Sequence, residues 1–182
     1  MCLIGAGSWA TALASLLLHN GLHLEWVVRR KADADYLNAE GRNPRYLTGT
    51  KMPTDKLNAV LDAREAVSKN SVIFVVAPAK HLSSTLSTLD SQALEAKQVV
   101  TAIKGLEAES GQVVHQYLAE DYAVAPANYA AILGPGHAEE LSVGQLTYLT
   151  AVSKSKALID HLKSWLTCDY VRVSDSDDVL GA

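Results

Sequence analysis

The chain has 182 residues, a net charge of −4, and 48% hydrophobic but only 6% aromatic residues. That length suits one α/β domain with a large interior of Ala, Val, Leu and Ile, as strands covered on both faces by helices require. The charge balance excludes the electrostatic footprint of a nucleic-acid or anionic-membrane binder, and no apolar run approaches the ~18 residues of a membrane span.

Met1 to Ile4 is a short apolar run that meets Gly5-Ala6-Gly7-Ser8-Trp9-Ala10 and then the helical pattern Thr11 to His19. Strand, glycine turn and helix in that order form a dinucleotide-binding unit. Gly5 allows the tight turn, Gly7 lets the backbone approach a pyrophosphate, and Ala10 allows close helix–strand packing. The helix N-terminus offers free N–H groups and the positive end of its dipole. The apolar stretch Trp9 to Leu18 lacks the preceding basic residues and the cleavage site of a signal peptide.

Asn20-Gly21 ends the first helix, and Leu24 to Val28 reads as the second strand, closed by Arg29 and Arg30. Lys31 to Glu40 follows as a helix. Gly41 to Pro53, with two prolines and two glycines, is the longest irregular connection and a candidate lid. A short strand at Leu57 to Leu61, a helix at Asp62 to Asn70 and a buried strand at Ser71 to Ala77 come next. Ala79 to Leu89 is then helical, Gln98 to Ile103 a strand, Gln112 to Asp121 a helix and Tyr129 to Leu133 a strand. The remainder gives a helix starting near His137, a strand at Leu146 to Val152, a helix at Lys156 to Leu166 and a strand at Tyr170 to Val173. This alternation predicts a Rossmann-like, doubly wound and mainly parallel sheet of about eight strands, in one dinucleotide-binding domain over residues 1–182.

Ligands of such sheets collect outside the carboxyl ends of the strands. Arg29 and Arg30 stand where an Asp or Glu would hydrogen-bond the ribose of NAD. They can hold the 2′-phosphate of NADP, or they are simply solvated. Lys104, at a strand end before Gly105, can polarise a carbonyl or clamp a phosphate. Gly134-Pro135-Gly136 ends one strand and opens a helix, presenting N–H groups to an anion. His137 binds ligand or caps that turn, while Glu139 and Glu140 suit the first helical turn. His19, His23, His81, His115 and His161 have no evident partner, and Trp26 and Trp165 read as core. Cys2 and Cys168 show no metal-ligand spacing, so the sequence predicts no metal site and a reducing, cytoplasmic setting.

The motifs Gly5 to Ala14, Asn43-Pro44-Arg45-Tyr46-Leu47, Val75 to Pro78, Lys104-Gly105-Leu106-Glu107 and Gly134 to Glu140, taken together, resemble the cofactor domain of bacterial NAD(P)-dependent glycerol-3-phosphate dehydrogenases. The resemblance spans nearly the whole chain. It implies hydride transfer between a nicotinamide, NADP or NAD, and C2 of a small-molecule substrate, reducing dihydroxyacetone phosphate to sn-glycerol 3-phosphate for phospholipid synthesis. On that basis Ser8, Trp9, Arg29, Arg30 and Ala138 contact the dinucleotide. Lys104 meets both cofactor and substrate, as the catalytic residue within this chain, and Gly134 and Gly136 form the substrate-phosphate turn. The resemblance is compatible with a homo-oligomeric full-length protein.

Gly136 departs from relatives that often carry Ser, Thr or Cys at this position. The family's second, proton-transferring lysine and its helical substrate domain are expected beyond Ala182. The resulting expectation is a chain that binds cofactor but turns over negligibly alone, with apolar surface left near the carboxyl ends of the strands. The alternatives are another two-domain hydroxy-acid or sugar-nucleotide dehydrogenase, and a non-catalytic NAD(P)(H)-sensing module.

Overall fold

The computed structural model describes residues 1–181, so the expected domain limit at Ala182 lies outside the described residues. The strands are β1 (Cys2–Ile4), β2 (Leu24–Val27), β3 (Leu57–Val60), β4 (Val72–Val75), β5 (Gln98–Thr101), β6 (Tyr129–Leu133), β7 (Thr147–Val152) and β8 (Val171–Ser176). The helices are α1 (Ser8–His19), α2 (Lys31–Glu40), α3 (Ala63–Lys69), α4 (Leu82–Leu86), α5 (Val114–Tyr122), α6 (Ala138–Ser142) and α7 (Lys156–Leu166). They build one eight-stranded sheet in the order β3-β2-β1-β4-β5-β6-β7-β8. The first six strands are parallel, with Leu3 opposite both Trp26 and Phe74. Chain order reverses between β1 and β4, which is the switch point where doubly wound sheets bind ligands.

Strand periodicity sorts the core into two layers. Leu3, Trp26, Phe74 and Val100 face α1, α2, α6 and α7, where they meet Leu13, Leu17, Leu37, Leu141 and Leu162. Cys2, Ile4, Ile73, Val75 and Val99 face α3, α4 and α5, where they meet Ala66, Leu82, Leu86 and Leu118. α1 is the most deeply buried helix. All of Ala10 to Ala14 and Leu16 to Leu18 are buried, because α1 packs on the sheet while α6 and α7 pack on α1.

The sheet is mainly parallel, as expected, with one antiparallel pair: β7 runs antiparallel to β6, with Leu133 opposite Thr150, and β8 then pairs parallel to β7. The reason is length. The five residues of α6 rise about 7.5 Å and only residues 143–146 follow before β7, whereas the equally short α4 is followed by residues 87–97 on the way back to β5, so the β6–β7 connection is short for a parallel crossover. β7 therefore starts at the carboxyl end of β6. The helix expected at Ala79 to Leu89 is a single 3₁₀ turn at Ala79–His81 followed by the five-residue α4.

Truncating Leu13, fully buried between sheet and helices, is expected to cost about 3 kcal/mol, since the layer around α1 cannot collapse into the gap. Chemical denaturation of Leu13→Ala, read at unchanged m-value, checks it.

Candidate functional site

Between the carboxyl ends of β1, β4, β5 and β6 opens a cleft of about 450 Å³, a volume suited to a small-molecule or cofactor site. Its floor is the turn from β1 into α1. Gly5 sits at φ +125°, and a Cβ there would overlap the Val76 carbonyl oxygen, so the turn packs against the end of β4 with room for glycine alone. Gly7 differs. Its backbone is extended, and a Cβ on it would meet no heavy atom within 4 Å, so no protein neighbour demands glycine there. The space it leaves is open cleft.

α1 begins at Ser8 with no side-chain cap and no acidic residue in its first turn. The first N–H pointing back along the helix is that of Thr11, which donates to the Gly7 carbonyl at 2.9 Å. The preceding amides of Ser8, Trp9 and Ala10 are left facing the cleft that these residues line, at the positive end of the helix dipole.

The structure brings together Gly7, Ser8, Trp9, Ala10, Lys104, Gly134, Gly136 and Ala138 around this one space. Lys104 is exposed and follows β5, with Gly105 at φ +96° turning the chain behind it. The loop is fastened by Glu107, only 1% exposed, whose Oε2 accepts the N–H groups of Glu109 and Ser110 and the Ser110 hydroxyl. The Ser110 N–H above all, then the rest of that turn, holds the Glu107 carboxyl below the usual carboxylate range. On the opposite wall a Cβ on Gly134 would come within 2.6 Å of the Tyr148 carbonyl oxygen. One on Gly136 would come within 2.7 Å of Thr147 Cγ2, so the Thr147 methyl fills the space of the side chain that Gly136 lacks. His137 occupies the N-cap position of α6, where its N–H donates to Glu140 Oε2 at 3.3 Å, and it also lines the cleft.

Gly5 lies beneath the cleft rather than in its lining. Arg29 and Arg30 do not line it either: they stand exposed at the carboxyl end of β2. Among the described residues neither they nor Lys104 form an ion pair. The segment Gly41 to Pro53, expected as a lid, is instead tied down. Asn43 is 3% exposed and Met52 1% exposed. The Asn43 Nδ2 donates to Ala6 O at 3.2 Å and to Thr11 Oγ1 at 2.8 Å, while its Oδ1 accepts from the N–H groups of Arg45 and Tyr46. Trp26 Nε1 donates to the Gly5 carbonyl at 2.6 Å. Neither support was singled out as a site residue from the sequence. Trp26 reads as core, and Asn43 stands in the motif Asn43-Pro44-Arg45-Tyr46-Leu47, which marks it without giving its role.

These features match known proteins. The family model "NAD-dependent glycerol-3-phosphate dehydrogenase N-terminus" matches residues 1–159. The chain belongs to this family. The glycerol-3-phosphate dehydrogenase [NAD(P)+] of Limosilactobacillus reuteri is 34% identical over 188 residues, covering 100% of this chain and 55% of that protein. The enzyme of the same name from Chlorobium limicola is 32% identical over 182 residues, covering 100% and 54%. The crystal structure of glycerol-3-phosphate dehydrogenase from Coxiella burnetii superposes with a TM-score of 0.89 at 27% identity, over 99% of this chain and 54% of that one. The chain thus spans about half the length of the curated relatives it matches. Gly134 and Gly136 reach this cleft because they directly follow the carboxyl end of β6, which runs parallel to β5.

Removing the amide of Asn43 should leave the Arg45 and Tyr46 amides and the Ala6 carbonyl without partners. Asn43→Ala is expected to lose about 1–3 kcal/mol of stability, measurable by chemical denaturation, with amide exchange accelerated at residues 43–46.

Proposed function

We propose that residues 1–182 form the cofactor-binding part of an NAD(P)-dependent glycerol-3-phosphate dehydrogenase. The reaction is dihydroxyacetone phosphate + NAD(P)H + H⁺ → sn-glycerol 3-phosphate + NAD(P)⁺, and its product feeds glycerophospholipid synthesis in the cytoplasm. The observation that carries the reading is the open space above Gly7, facing the uncapped N-terminus of α1 at the switch point between β1 and β4. A pyrophosphate fits there because the amides of Ser8 and Trp9 would take its oxygens, and no acidic residue in that first turn repels it.

When bound, the nicotinamide cofactor supplies or accepts the hydride at C2 of the substrate. The protein's part is positioning and charge. Arg29 and Arg30 would hold a ribose 2′-phosphate, which favours NADP over NAD. The N–H of Ala138, at the start of α6, would meet the dinucleotide from the opposite wall. Lys104, lining the cleft beyond β5, would hold the substrate's carbonyl oxygen beside the cofactor, offsetting the negative charge that develops there during reduction. The Gly134–Gly136 turn would take the substrate phosphate on backbone N–H groups. Its Gly136 needs no side chain for this, since Thr147 already fills that space.

Calorimetric titration of the chain tests the reading. NADPH is expected to bind, and more tightly than NADH, with Arg29→Ala/Arg30→Ala removing most of the difference. Gly7→Val is expected to leave the fold intact, because no protein atom contests the space, yet to abolish binding of both nucleotides. Binding undiminished in Gly7→Val would overturn the pyrophosphate assignment.

A further inference from the structure

At the other end of α1, about 16 Å from the cleft at 1.5 Å per residue, lies a second group of chemically capable side chains. His19 is the last residue of α1, and Cys168 and Asp169 lie on the turn between α7 and β8. One imidazole nitrogen, one thiol sulfur and one carboxylate oxygen come within 4.8 Å of one another. His19 Nε2 stands 3.8 Å from Asp169 Oδ1, and the imidazole rests on the Tyr170 ring with centroids 5.3 Å apart. We propose that His19, Cys168 and Asp169 form a binding site for a zinc-class divalent ion, completed by water as the fourth ligand.

The donor set selects the ion. Mg²⁺ and Ca²⁺ take oxygen ligands, whereas sulfur, nitrogen and oxygen together suit a borderline-soft metal. Tetrahedral zinc with bonds of about 2.0–2.3 Å places its ligand atoms roughly 3.3–3.8 Å apart. The present spacing therefore closes by side-chain rotation of about 1 Å. The backbone that carries the ligands is already fixed. Asn20 Nδ2 donates to Trp165 O at 2.8 Å and Thr167 O at 3.3 Å, which joins the end of α1 to the segment leading into Cys168. Arg172 donates to the carbonyls of Cys168 at 2.6 Å and Asp169 at 3.3 Å, which shapes the turn.

Electrostatics agree. The carboxyl end of α1 carries partial negative charge that favours a cation. The thiolate and the carboxylate together supply two negative charges, while the Arg172 guanidinium is engaged by backbone carbonyls behind the turn and Lys51, in the pocket beside His19, donates to the Glu40 carbonyl. Binding releases the Cys168 thiol proton to solvent, with the sulfur–metal bond replacing the S–H bond. The other cysteine is unsuited: Cys2 is fully buried, and burial pushes its thiol pKa up to about 12. Sequence spacing hides the site, because its ligands lie at positions 19, 168 and 169 and meet only when α7 packs on α1. A bound ion would staple α1 to the β7–β8 end of the sheet, remote from the cofactor cleft, and this inference does not rest on the proposed function.

The test uses the reduced, chelator-stripped chain titrated with Co²⁺ and then Zn²⁺. One equivalent of Co²⁺ is expected to give a thiolate-to-metal charge-transfer band in the near ultraviolet, displaced by one equivalent of Zn²⁺ and unaffected by Mg²⁺. Cys168→Ser should abolish the band, while His19→Gln and Asp169→Asn should each weaken binding at least about tenfold. In the unmutated chain Zn²⁺ should protect Cys168 from alkylation, read by mass spectrometry with Cys2 as the internal control. The proposal is overturned if no band forms at one equivalent, if the band persists in Cys168→Ser, if His19→Gln and Asp169→Asn bind as tightly as the parent, or if Zn²⁺ leaves Cys168 alkylation unchanged.

Discussion

The site depends on one close approach: the turn after β1 passes so near the Val76 carbonyl at the end of β4 that a Cβ at Gly5 cannot be accommodated. Two parallel strands that lie side by side at the switch point must send their chains to opposite faces. β1 turns into α1 on one face, while β4 leads through the Ala79–His81 turn to α4 on the other. Without Gly5 the chain could not bend there at φ +125°, and α1 would not aim its N-terminus over the sheet edge. The indole of Trp26, on the neighbouring strand, then holds the Gly5 carbonyl in place.

α1 transmits that constraint to the rest of the molecule. It is buried along nearly its whole length, so its direction is fixed by packing against the sheet, α6 and α7 and not by helix propensity alone. Its two ends have opposite electrostatic character. The first turn of α1 holds no carboxylate, with Glu139 on the far wall of the cleft it faces, and the carboxyl end meets His19, Cys168 and Asp169. Asn43 couples the glycine turn to the 41–53 segment through Thr11, one turn into the same helix. That buried contact anchors a stretch rich in proline and glycine at Asn43, next to the glycine turn.

Much of this was legible in the sequence because local and tertiary signals agree. The strand–glycine–helix order at Met1 to His19 gave the floor of the cleft. Lys31–Glu40, Tyr129–Leu133 and Lys156–Leu166 are found with the bounds that hydrophobic periodicity implies. The direction of β7 was not legible, because strand periodicity is the same for either direction and the short segment between α6 and β7 decides it. The Ala79 to Leu89 helix fails for a local reason. Ser-Ser-Thr sits inside the part that does form α-helix, and the departures are the 3₁₀ turn that follows Pro78 and the end of the helix at Leu86, where the Ser87 hydroxyl donates back to the Ser84 carbonyl. Of the strand-end residues named from the sequence, Lys104, Gly134 and Gly136 line one cleft because the fold places them there, while Arg29 and Arg30 stand outside it. Of the side chains that act from beneath, Asn43 and Glu107 fall within motifs that carry the family resemblance, but no local pattern gives their supporting role, and Trp26 reads as ordinary core.

The central claim is that a dinucleotide lies over Gly7 with its pyrophosphate on the N-terminus of α1. Backbone amide chemical shifts of the isotopically labelled chain, followed by NMR as NADPH is added, test it most directly. The account predicts the largest changes at Gly7, Ser8 and Trp9, with further changes at Lys104 and Ala138 across the cleft. Saturating changes confined to other surfaces, with the Gly7 to Trp9 amides unmoved, would contradict it.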